Sequence, residues 1–107
     1  MKIIISGSIS NDDNFMKKFQ DKEYELKERY PDANVFNPAW YCDMLIRNGT
    51  INYSQSNNDL WLDCMGHCIP IFKGATHIYF FGDGIPSLGS EIEKMISMRK
   101  LHLEVIE

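Results

Sequence analysis

The run Ile3-Ile4-Ile5, closed by Ser6-Gly7, constrains the fold more than any other stretch of this chain. Three successive β-branched residues leave no polar face, so the strand they form is buried on both sides, as in a parallel sheet covered by helices. The following segments supply such helices. After Ser10-Asn11-Asp12-Asp13, which offers cap residues, Phe15, Phe19, Leu26 and Tyr30 recur at helical spacing in a charged background, and Pro31 ends the pattern. Asn34-Val35-Phe36 predicts a second short strand, stopped by Asn37-Pro38 because proline restricts the preceding residue and lacks an amide donor. Leu60, Trp61, Cys64, Met65 and Cys68 predict a helix within residues 59–72, weakened by Gly66 and kinked or ended by Pro70. His77–Phe81 reads as a strand, Ser87–Arg99 as a helix with Leu88, Ile92, Met95 and Ile96 facing inward, and Leu101–Ile106 as a last strand.

Strands alternating with helices predict an α/β architecture with right-handed crossovers. The expectation is one Rossmann-like or flavodoxin-like three-layer domain over residues 1–107, with a mainly parallel sheet of about four or five strands. Residues 40–58 mix a possible helical turn with Asn48-Gly49 and the polar run Ser54-Gln55-Ser56-Asn57-Asn58, and are expected to form a loop or lid.

With 107 residues and 44% hydrophobic content, the chain can bury one ordinary core. Eleven basic against fifteen acidic side chains give a formal charge of −4, and no basic block is long enough to track a phosphate backbone. Long nucleic acids are therefore not expected partners, whereas a single nucleotide is compatible. No apolar stretch has the length of a membrane span. Three cysteines, Cys42, Cys64 and Cys68, without a leader sequence predict reduced thiols and a cytoplasmic protein. Cys64 and Cys68 share a helix face with His67 between them, but a metal site needs a further ligand, so neither a metal nor another cofactor is expected.

In parallel α/β folds, ligands sit outside the carboxyl ends of the strands, near the switch in strand order. Three segments converge there: Gly7-Ser8-Ile9, Asn37-Pro38 and residues 82–90. Gly7 and Ser8 leave the first strand without bulk, so amides and a hydroxyl can approach a phosphate or sugar, although a plain tight turn uses the same residues. The second and third glycines of the dinucleotide fingerprint are absent. Within Ser87-Leu88-Gly89-Ser90-Glu91-Ile92-Glu93, a carboxylate near a helix start is kept ionised by the positive terminus and can attack an anomeric carbon. The same residues also fit a capping box, Ser90-x-x-Glu93.

Gly7-Ser8-Ile9, Phe36-Asn37-Pro38, Met65–Thr76 and the spacing Ser87-x-Gly89-Ser90-x-x-Glu93 together resemble the nucleoside 2-deoxyribosyltransferase superfamily, most nearly its small phage-associated branch, with the nucleotide N-glycosidases as relatives. The resemblance implies that Glu93 is the nucleophile, and that Ser87 contacts the sugar or its 5′ phosphate. It also implies that Gly7 and Ser8 line the pocket and that Asn37 holds its rim against the base. Ile9, Cys68, Gly89 and Ser90 complete the expected ligand-binding set. A small nucleoside or nucleotide ligand and a homo-oligomer follow from the same likeness. The chain departs from the pattern at three positions: Cys68 stands where the family places the acid for the leaving base, Ile4 replaces a tyrosine, and Ser10 replaces an arginine. A thiol of ordinary pKa is a weak proton donor in that role. His67, adjacent to Cys68, offers a replacement acid, against the ordinary reading of a satisfied histidine.

Two functions follow as expectations. The first is cleavage or transfer at the N-glycosidic bond of a (deoxy)nucleotide through Glu93. The second is a catalytically degenerate binding protein, in a phage setting one that sequesters a nucleotide-derived or ADP-ribose-like immune signal as an anti-defence device in the host cytoplasm. A third option makes Trp40, Tyr41, Tyr53 and Trp61 an interaction surface.

Overall fold

A computed structural model describes residues 1–7, 14–81 and 102–106. Lys2–Ser6 forms β1, Asn34–Phe36 β2, His77–Phe80 β3 and Glu104–Ile106 β4. They make one sheet in the order β2-β1-β3-β4 with every pairing parallel. The isoleucine run therefore occupies an inner strand, in register with Val35 and Phe36 on one side and with His77, Ile78 and Tyr79 on the other. That position is what a strand without a polar face requires.

The two faces of the sheet bury different residues because side chains alternate along each strand. Ile3, Ile5 and Ile106 face α1 (Phe15–Arg29), which contributes Phe19 and Leu26, both essentially inaccessible to solvent. Burying each of these two side chains contributes about 1.5–3 kcal/mol. On the opposite face Ile4 and Ile78 pack with Leu103 and with Phe72 of a short 3-10 turn, Ile69–Phe72. The order of strands reverses beside β1: the chain steps from β1 outward to β2, then crosses back to β3 on the other side. This is an α/β domain with an all-parallel sheet, of Rossmann-like or flavodoxin-like three-layer type.

The expected loop or lid at residues 40–58 is corrected by the structure. Pro38–Arg47 forms α2, and α3 (Asn57–Cys68) begins before the expected loop ends. Asn37-Pro38 stops the strand and at the same time starts the helix: Asn37 is the N-cap, its Oδ1 accepting from the Trp40 amide at 3.2 Å, and Pro38 occupies the first turn, where no amide donor is needed. The turns that remain between the two helices are held by Asn48 and Asn52, whose side chains accept from the amides of Thr50 and Ser54. Ser56 caps α3 by accepting from the Asp59 amide. Pro70 does end the α-helical run, which tightens into the 3-10 turn. The last strand is shorter than expected, because His102 adopts a positive φ and Leu103 turns into the core before β4 begins. Among the described residues no helix is long and apolar enough to cross a membrane.

Candidate functional site

The carboxyl ends of β1 and β3 meet at the reversal of strand order, and Gly7 is the first residue beyond β1. Its missing side chain has a definite use. A Cβ built on Gly7 comes within 2.6 Å of Cδ2 of Phe81, the residue that follows β3. Phe81 is anchored there by the hydrogen bond its backbone N–H donates to the Ser6 carbonyl at 3.0 Å and by edge-on contacts with Phe19 and Tyr79. The glycine thus lets an aromatic ring close against the mouth of β1. Above this ring α1 supplies positive charge: Lys18 Nζ lies 5.3 Å from the Phe81 ring centroid, and Lys22 Nζ lies 4.4 Å from that of Tyr79. Lys22 loses some proton affinity to burial, but its hydrogen bonds to Glu25 and Tyr79 outweigh this and raise its pKa. It stays charged across the neutral range but is paired with Glu25, so the cation that stands over the ring beyond β3 is Lys18.

Asn37 stands at the end of β2, next to β1, so it shares the carboxyl edge of the sheet with Gly7. It is 6% exposed; its carbonyl accepts from the Tyr41 amide at 3.1 Å, and the hydrogen bond of its side chain among the described residues is the cap to Trp40. Beside it, a groove of about 460 Å³ runs between α1 and α2 along the edge strand β2. Met16, Gln20 and Tyr24 form one wall, Trp40 and Tyr41 the other. Tyr41 is held by an edge-on contact with Phe36 at 5.5 Å, whereas Trp40 and Tyr53, two of the aromatics expected at an interaction surface, are exposed. The groove was hidden in the sequence because Gln20, Tyr24 and Lys27 belong to the charged side of α1. Its one visible signal is their spacing of three and four residues, which aligns them in a second stripe.

Cys68 lies elsewhere. It ends α3 one turn before Ile71, whose carbonyl accepts from Lys2 Nζ at the amino end of β1. The residue is 2% exposed and its sulfur sits 3.5 Å from that of Cys42. The structure brings Gly7 and Asn37 to one edge of the sheet and leaves Cys68 at the α2–α3 contact. Cys64 joins the same cluster: a hydrogen bond with Cys42, then burial, push its thiol well above the ordinary range, so it stays protonated at neutral pH. Among the described residues no group of three metal-ligating side chains is arranged to hold an ion. His77, in β3, pairs with Thr76 and with Glu104 of β4 at the amino end of the sheet. Ser8, Ile9, Ser87, Gly89, Ser90 and Glu93, together with the expected helix at Ser87–Arg99, lie outside the described residues.

No family model, curated protein or solved structure matches this chain.

Proposed function

We propose that the chain binds a nucleoside or nucleotide beyond the carboxyl ends of β1 and β3, in the manner of deoxyribosyltransferase-like proteins, and acts on its N-glycosidic bond through Glu93. The observation that carries the reading is the all-parallel order β2-β1-β3-β4, whose reversal lies where Gly7 and Phe81 meet under Lys18. Cationic side chains over an aromatic ring suit a ligand that combines a phosphate with a sugar or base. In the reaction, a Glu93 oxygen bonds to the anomeric carbon as the carbon–nitrogen bond breaks. The base leaves with that electron pair and takes up a proton, and water then releases the sugar from Glu93. The resemblance extends the reading to a homo-oligomer in which neighbours complete each other's pockets.

A second reading, capture without turnover, is favoured by one observation. Cys68, at the position of the family's acid by the resemblance, is buried against Cys42 where α2 meets α3. One experiment separates the two. The purified chain is incubated with deoxynucleoside 5′-monophosphates, and bound and released compounds are analysed by chromatography before and after heat denaturation. Free base that disappears in Glu93→Ala supports turnover, and intact nucleotide returned on heating supports capture. A folded protein that neither retains nor cleaves any of them contradicts both. Native mass spectrometry of the same sample reads subunit number and any co-purified nucleotide.

A further inference from the structure

All three cysteines of the chain meet where α2 packs on α3. Cys42 lies in the middle of α2, while Cys64 and Cys68 are one turn apart on α3, a spacing that puts both on one face of that helix. The Cys42 sulfur is 3.5 Å from that of Cys68 and shares a hydrogen bond with Cys64. All three are free thiols. Packing between two helices needs apolar volume, which alanine, valine or leucine supplies as well. Sulfur adds a chemistry that those residues lack, because two thiols in contact are placed to be joined. The sulfurs of a disulfide are about 2.05 Å apart, so closing the gap from 3.5 Å is within reach of side-chain rotation.

The three thiols are not equivalent. Cys64 is half-buried, and its proton is held by the bond to Cys42, so it is a poor nucleophile toward an oxidant. Cys42 and Cys68, 8% and 2% exposed, are the pair that bridges two elements across 26 residues of chain.

We propose that Cys42 and Cys68 are an oxidation-sensitive pair, converted by a small peroxide to a disulfide that locks α2 to the end of α3 and leaves Cys64 a thiol. The Cys42 sulfur attacks a peroxide oxygen, the oxygen–oxygen bond breaks, and one water leaves with the Cys42 proton, giving a sulfenic acid. The Cys68 sulfur then attacks the Cys42 sulfur, the sulfur–oxygen bond breaks, and the hydroxyl takes up the Cys68 proton and leaves as a second water. Each sulfur gives up one electron and the peroxide gains two. The new bond closes the connection between the helices, which is otherwise held by the side chains of Asn48 and Asn52, so it stabilises the oxidised chain and protects that connection from local opening. It uses neither Gly7 nor Glu93 and is independent of the nucleotide reading.

The test treats the reduced, intact chain with hydrogen peroxide, caps the remaining thiols with N-ethylmaleimide in denaturant, and compares intact mass and unreduced proteolytic peptides with an untreated sample. The expected product is a single chain that has lost two hydrogen atoms, carries one label where the untreated chain carries three, and yields a Cys42–Cys68 peptide pair that dithiothreitol separates. Its thermal unfolding shifts upward by about 5 °C or more, and amides within residues 48–56 exchange more slowly. Cys64→Ser, at a half-buried position, forms the same link with the same shift. Cys68→Ala abolishes the shift; where that variant does not fold, the peptide map of the parent chain decides. Three labels retained after peroxide, a main link that uses Cys64, a link only between chains, or sulfinic and sulfonic acids without a link each overturn the proposal. So does a Cys42–Cys68 link that leaves the unfolding temperature unchanged.

Discussion

The two ends of the sheet treat their polar groups in opposite ways. At the amino end, the chain ties its own side chains together. Lys2 Nζ donates to the carbonyls of Ile71 and Lys73, the Thr76 hydroxyl bonds the Lys2 backbone and the His77 ring, and His77 Nε2 meets Glu104 at 3.1 Å. These contacts fasten β1 to the approach to β3, and β3 to β4. At the carboxyl end, Gly7 makes room for a ring, lysines stand over aromatic faces, and the Asn37 side chain caps α2. One end is satisfied internally and serves stability. The other brings a glycine, aromatic rings and lysines to the end at which parallel α/β folds bind their ligands.

Four substitutions sharpen this contrast. Gly7→Ala has the largest expected effect, about 1–3 kcal/mol of destabilisation in chemical denaturation, since the new methyl meets Phe81 while Phe19 and Tyr79 restrict the ring. A loss within experimental error would mean that the ring moves freely and that the glycine serves another purpose. Lys2→Met follows at about 1–2 kcal/mol, because two carbonyls lose a charged donor near the surface. Asn37 then tests the cap of α2. Asn37→Ala costs about 1 kcal/mol through loss of the cap, whereas Asn37→Asp stays within about 0.5 kcal/mol of the parent.

The smallest effect is electrostatic and concerns the Lys22–Glu25 pair on α1. The hydrogen bond from Lys22 lowers the Glu25 pKa, so the contribution of this carboxylate is present above its unfolded value and is lost as pH falls through the folded one. Lys22 has its pKa raised, so its contribution is present below the ordinary lysine value of 10.5 and is lost as pH rises through the folded one. Glu25→Gln should remove only this pair's small part of the acid limb of a stability–pH profile while leaving the neutral plateau nearly unchanged, because the pair is solvent-screened.

The sheet was legible because its signals are local and strong. An all-apolar run such as Ile3-Ile4-Ile5 has one comfortable position, and the stripe Phe15, Phe19, Leu26 and Tyr30 has one periodicity. The start of α2 is obscured in the sequence because Asn37-Pro38 carries two messages, one that ends a strand and one that opens a helix. Cys68 matches the family's acid in sequence, but it closes α3, from which a 3-10 turn leads the chain toward the amino end of the sheet. The groove could not be read at all, since its walls come from three elements and its outer stripe on α1 has the composition of a solvated face. Residues distant in sequence become a site only through the register of β1 with β2 and the angle at which α2 departs.

The most direct test of the proposed function is an NMR titration with each common 2′-deoxynucleoside 5′-monophosphate, comparing backbone amides at the two ends of the sheet. The account predicts that at least one nucleotide saturably shifts Gly7 and Phe81 at the carboxyl end while Thr76 and Glu104 at the amino end stay in place. Absence of saturable shifts with all of them, or shifts centred on Thr76 and Glu104, would contradict it.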